Sequence, residues 1–238
     1  QMDLVITYAV DLVRFLTEPG SEARAAFAQA WAAALEVLES DNTLSLADQL
    51  SALRVRVRLA RLGAPLDDMA ALVRERVADA VASVSDPALR HAVLNSAAGI
   101  LADAGLLDDA EALLVDELER SHSPFYFMHN LAAIAKKRGD PARAINWYEQ
   151  AWNGARGAAT RLQWGATYLQ SLVDFAPHDV DRIDRLSGQV IDELSGMAGT
   201  ASQRNGTQLA RIAEKLGVWG GHSERAVALR QMATRLGG

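Results

Sequence analysis

The chain has 238 residues, half of them apolar, with 24 basic and 30 acidic side chains and a formal net charge of −6. The two signs are interspersed, so no basic stripe offers the counterion release that general nucleic-acid binding depends on, and no polybasic run offers a membrane anchor. Without cysteine this chain has no thiolate chemistry, disulfide or Cys-ligated zinc, and charges break its apolar windows before the roughly 18 residues a membrane-crossing helix needs.

Ala, Leu, Arg and Glu dominate, all good helix formers, and sustained period-2 alternation is missing. Stop signals recur at short intervals, which predicts an all-α chain of about twelve helices. The first pair covers roughly 2–17 and 21–39, split by Pro19-Gly20-Ser21 with Ser21 as N-cap. A third helix starts at Ser45 with Asp48 in a capping-box-like position, and Leu46, Leu50, Leu53 and Val57 form its apolar face. Gly63-Ala64-Pro65 stops it, and a fourth runs over about 66–84. Asp86-Pro87, Ser123-Pro124 and Asp140-Pro141 open later helices with proline at the first helical position, where its missing N–H has no intrahelical partner anyway. Further helices are expected at about 124–138, 141–153, 158–175, 179–195, 201–217 and 223–236, with 196–200 the loosest segment. The N-terminus, Gln1-Met2-Asp3-Leu4, shows no basic region and no cleavage site, and a start at Gln fits a fragment, a mature form or a trimmed chain.

Ala98, Gly105 and Ala110 are followed 34 positions later by Ala132, Gly139 and Ala144, and Leu114 and Tyr148 keep the same step. That is the period of the tetratricopeptide repeat, in which small residues sit where paired helices approach closely. The next unit is one residue out of step: Trp164-Gly165 precedes Tyr168 as in a first helix, but Pro177 stands where the turn is expected. The expectation is a tetratricopeptide-like α-α superhelix, with divergent helical pairs over 1–84 and a repeat region over 85–238, or one continuous domain.

Four stretches carry a more specific likeness: Ser121–Met128, Lys136–Asp140, Trp147–Ala151 and Ala159–Gly165. Together they resemble the C-terminal helical region of bacterial thioredoxin-family proteins, most strongly over about 88–194 and hardly at all in the first 40 residues. The resemblance implies an exported, periplasmic parent with a thiol–disulfide function in another domain. The chain departs from the family in having neither Cys-x-x-Cys nor a strand-rich half, so no catalytic residue carries over.

Nothing in the spacing points to a reaction site. The five histidines, His91, His122, His129, His178 and His222, form no metal-ligand pair, and no Gly-x-Ser-x-Gly or phosphate loop appears. Neither metal nor cofactor is expected. Asp67-Asp68 and Asp108-Asp109 read as first-turn carboxylates that complement the helix dipole. Asn205-Gly206-Thr207 reads as a turn. Arg54, Arg58 and Arg61 share a helix face with Arg56 off it, and two readings stand: a patch for an acidic partner, or a solvated face.

Repeat geometry nominates the binding residues, because first helices line the concave face of such a solenoid. These are Asn95 and Gly99, then Tyr126, His129, Asn130, Ala133 and Lys137, then Arg161, Gln163 and Ala166. Amide and cationic side chains suit a peptide backbone or carboxylate, and Tyr126 suits an apolar anchor. Trp147, Trp152 and Trp164 are expected in the core. The leading expectation is a non-catalytic interaction module for a protein or peptide. The alternative is a structural or dimerising domain that packs on its own thioredoxin domain.

Overall fold

The structure, a computed structural model, describes residues 2–195 and 203–219. Among them are eleven helices and no strand: α1 (Met2–Leu16), α2 (Glu22–Glu39), α3 (Leu46–Ala60), α4 (Met69–Ala82), α5 (Pro87–Ala104), α6 (Leu107–Leu118), α7 (Phe125–Lys137), α8 (Pro141–Gly154), α9 (Ala158–Phe175), α10 (Val180–Ser195) and α11 (Gln203–Trp219). The chain is all-α over these residues. The expected loose segment 196–200 and the twelfth helix, 223–236, lie outside the described residues.

Helix starts follow local chemistry. The Ser21 and Ser45 hydroxyls accept from the Arg24 and Asp48 amides, and the Asp86 and Asp140 carboxylates accept from Leu89 and Arg143. Each thereby satisfies a first-turn N–H that has no partner within the helix. Pro87 and Pro141 do occupy the first helical positions. Pro124 differs: it is itself the N-cap of α7, its carbonyl accepting from Met128, so Ser123 does not cap that helix. Asp67 and Asp68 also differ from expectation. They precede α4, with Asp68 at φ 44° in the left-handed region and without a side-chain cap bond. Asn205-Gly206-Thr207, read as a turn, lies inside α11.

The 34-residue step is written into the backbone. Gly105 N–H bonds to Ala102 O, and Leu106 N–H to Leu101 O; 34 residues on, Gly139 bonds to Lys136 and Asp140 to Ala135. Both glycines sit at positive φ, 86° and 74°, as this helix stop requires. Ala110 and Ala144 then close the next helix on the carbonyls of Leu106 and Asp140. The matched side chains Ala98 and Ala132, Ala110 and Ala144, Leu114 and Tyr148 are all buried.

The chain divides into two compact units, 1–117 and 118–238; the weak sequence boundary near 83–85 lies inside the first. In unit 1, α1 packs on α2 and α3, α2 on α3, and α5 on α3 and α4. Its first core is rich in small residues, Ala9, Ala28, Ala32, Ala52 and Ala64, which let the helices approach closely, with Val13, Leu35, Val55 and Leu59 filling the space between them. Arg56, placed off the exposed arginine face, is buried there and pairs at 2.5 Å with Glu39, also buried. In unit 2, α8 packs on α7 and α9, and α9 on α10 and α11. That core is aromatic: Phe125, Tyr148, Trp152, Trp164 and Tyr168 are all buried in one cluster.

Candidate functional site

The densest set of unusual side chains lies on α7 and α9 of unit 2. Tyr126, His129 and Asn130, Ala133 and Lys137 recur at helical spacing along one face of α7. Tyr126 is 40% exposed, and its ring meets Trp164 edge-on at 5.6 Å. His129 lies over the same indole at 4.3 Å and meets Tyr148 at 5.3 Å. Burial holds the His129 pKa down to about 4, the nearby Lys136 charge adds to the effect, and a hydrogen bond with Asn130 opposes it. The imidazole is therefore neutral and ring-packed at ordinary pH. Lys136 lies 5.2 Å over the Phe175 ring, while Lys137 is exposed. The face thus runs from aromatic at the start of α7 to cationic at its end, where lysines also suit the helix dipole.

Not every nominated residue is presented. Ala166 is only 1% exposed, packed in the core one position before Thr167, and cannot touch a partner. Ala132, 34 positions earlier, is buried in the same core. Arg161 is committed to structure: Nε and Nη2 reach one Glu193 oxygen at 2.8 and 2.6 Å, and Nη1 donates to Trp152 O at 3.2 Å. Its guanidinium also lies 5.2 Å over the Trp152 ring. Gln163 and Ala133 are half-buried. Trp152 and Trp164 are core residues and Trp147 is partly buried, yet Trp164 is also the floor on which Tyr126 and His129 rest. Its indole N–H is buried without a partner.

Neighbouring polar groups brace one another. Tyr168 OH donates to Glu149 at 3.0 Å and accepts from Arg182 at 2.6 Å, and burial pushes its pKa up to about 12. Arg182 also reaches Glu149 at 2.8 Å, closing a triangle across α8, α9 and α10. Among the described residues no three His, Asp or Glu side chains come together as metal ligands. No described helix is long and apolar enough to cross a membrane.

In unit 1, Asn95 and Gly99 lie on one ridge of α5 with His91 and Asp103, four residues apart at each step. The Asn95 amide donates to the His91 carbonyl at 2.9 Å. Gly99 offers bare backbone to Arg54 of α3: a Cβ there would come within 3.1 Å of the guanidinium carbon. Arg54 and Arg58 both donate to one oxygen of Asp103, at 2.8 and 2.9 Å. Sequence spacing grouped the arginines but gave no sign of Asp103, which lies 49 and 45 positions away. Elsewhere in unit 1 a groove of about 640 Å³ runs between α4, α5 and α6. Val77, Val81, Leu101 and Leu113 line it, and Arg74 pairs with Asp109 at 2.9 Å on its wall. A further apolar stripe, Tyr8, Leu12, Phe15 and Leu16, stands exposed on α1.

No protein-family model matches the chain. No curated protein matches it either. Its fold is similar to that in the crystal structure of BtubC (BKLC) from P. vanneervenii, with a TM-score of 0.53 at 16% identity over 89% of each chain. At that identity the likeness is one of fold alone.

Proposed function

We propose that the chain is a non-catalytic, tetratricopeptide-like interaction domain that takes an extended peptide of a protein partner on the α7–α9 face. The observation that carries this is Tyr126, an exposed ring held edge-on by Trp164. A large aromatic already fixed in place loses little conformational freedom on binding, which is the character of an interface anchor. Asn130 follows Tyr126 by one turn of α7, Gln163 precedes Trp164 on α9, and Lys137 adds a charge near the end of α7. The repeated turn bonds at Gly105 and Gly139 support the tetratricopeptide-like part of the reading. Selection of a displayed random-peptide library on the purified chain tests it. Enriched peptides should lose at least about tenfold in affinity with Tyr126→Ala at unchanged helicity. Failure to enrich any peptide, or equal binding by the variant, would sink the reading.

The link to a thioredoxin-like, periplasmic parent rests on the four sequence stretches, and the fold likeness does not bear on it. It requires a Cys-x-x-Cys in residues encoded upstream. The pure chain should reduce no insulin disulfide, since it has no thiol. A second reading, a structural domain that dimerises or packs on another domain, is favoured by the α1 stripe alone. Phe15 is 85% and Leu16 67% exposed. Light scattering decides it: a dimer that Phe15→Ser converts to monomer supports packing through α1.

A further inference from the structure

We propose that the α3–α5 face of unit 1 is a docking surface for an acidic segment of a partner protein, held through Asp and Glu side-chain carboxylates. The proposal rests on the chain being an interaction domain but uses different residues from the Tyr126 face, so the two fail separately. Its basis is a local excess of positive charge in a chain whose net charge is −6. Arg54 and Arg58 share a single carboxylate, that of Asp103. One negative charge against two guanidiniums leaves the pair cationic. Arg61, one turn further along the same ridge, is exposed, and its guanidinium makes no ion pair among the described residues. The Arg54 and Arg58 side chains remain 39% and 44% exposed, so both are open to a second carboxylate.

The geometry already shows the contact required. Asp103 seats a carboxylate against two guanidinium N–H groups, and Gly99 lets Arg54 lie flat on α5 because no Cβ intervenes. Charge-assisted bonds of this kind are the stronger class of hydrogen bond. Successive turns of α3 repeat every ~5.4 Å, close to the ~6.6 Å between alternate side chains of an extended segment, so alternating acidic residues match the ridge. Asp103 is the internal competitor for the same arginines.

The test uses the full chain and a fluorescein-labelled, C-terminally amidated peptide of alternating Glu and Ser, read by fluorescence anisotropy. Matched Lys-Ser peptide and single-stranded DNA of similar charge are the other arms. The Glu peptide should bind and weaken as salt rises, while the Lys peptide does not bind. The pair Arg54→Ala/Arg58→Ala should weaken binding at least tenfold and Arg61→Ala at least threefold. Asp103→Asn should tighten it severalfold. Arg61 is exposed and holds no ion pair among the described residues, so its variant remains informative if the double variant unfolds. No binding of the Glu peptide, arginine variants that bind like the parent, or Asp103→Asn binding no tighter overturns the proposal. DNA binding as tightly through the same arginines also overturns it, in favour of a phosphate surface.

Discussion

Both units join their helices with ion pairs, and unit 2 adds packed aromatic rings to them. Unit 1 crosses its helix contacts with ion pairs: Arg56 with Glu39, Arg54 and Arg58 with Asp103, Arg74 with Asp109, and Arg90 with Glu117. Unit 2 has cross-helix ion pairs as well, Arg161 with Glu193, Arg182 with Glu149 and Lys215 with Asp174, but adds rings to them: Trp164 against His129 and Tyr126, and Trp152 against Tyr168 and Arg161. All but four of the aromatic residues lie in 118–238. The difference separates two kinds of surface. Ion pairs at the edge of unit 1 leave charge that a partner can use. Ring packing in unit 2 fixes an exposed aromatic in place.

The contrast breaks most visibly at Glu39. Glu39→Ala leaves the buried Arg56 without its closest carboxylate and should cost about 3–5 kcal/mol in urea unfolding. Glu39→Leu with Arg56→Met should recover most of that loss, because hydrophobic replacement of a whole buried pair is close to neutral. If the single variant costs under about 1 kcal/mol, unit 1 is not held by this pair.

In unit 2 the corresponding probe is pH. His129 titrates at about 4 in the fold, below the ~6.5 of an unfolded histidine. The unfolded chain therefore binds the proton first. The contribution of neutral His129 is full above pH ~6.5, declines as pH falls toward about 4, and is gone below it. The loss should approach roughly 3 kcal/mol over that window. His129→Gln should flatten this segment of the stability–pH curve, and an unchanged slope would remove His129 as its source.

The smallest effect tests where the units agree. Gly105→Ala and Gly139→Ala should each cost roughly 1–2 kcal/mol, since an L side chain resists the left-handed conformation both adopt. Nothing but the Arg61 tip at 3.9 Å approaches either position, so strain alone acts and the two costs should match within about 0.5 kcal/mol. Unequal melting shifts would separate the two turns.

Much of the fold was legible because its signals are short. Ser21, Ser45, Asp86 and Asp140 each cap an amide three residues on. The Asp68 turn was misread because two carboxylates before a helix look alike whether they cap it or only precede it. The candidate site was half legible. Helical spacing grouped Tyr126, His129, Asn130, Ala133 and Lys137, but could not show that Ala166 faces inward or that Arg161 is bound to Glu193.

The sequence by itself determined where helices begin and stop and that one turn recurs after 34 residues, because a cap or a glycine stop acts within six residues of backbone. Only the tertiary structure decided that Arg54 and Arg58 meet Asp103, that Arg56 is buried against Glu39, and that Trp164 supports Tyr126. These partners stand 17 to 49 residues apart, and no local signal fixes which helix faces meet. Packing of one helix on another sets that choice, and with it which charges and rings are left for a partner.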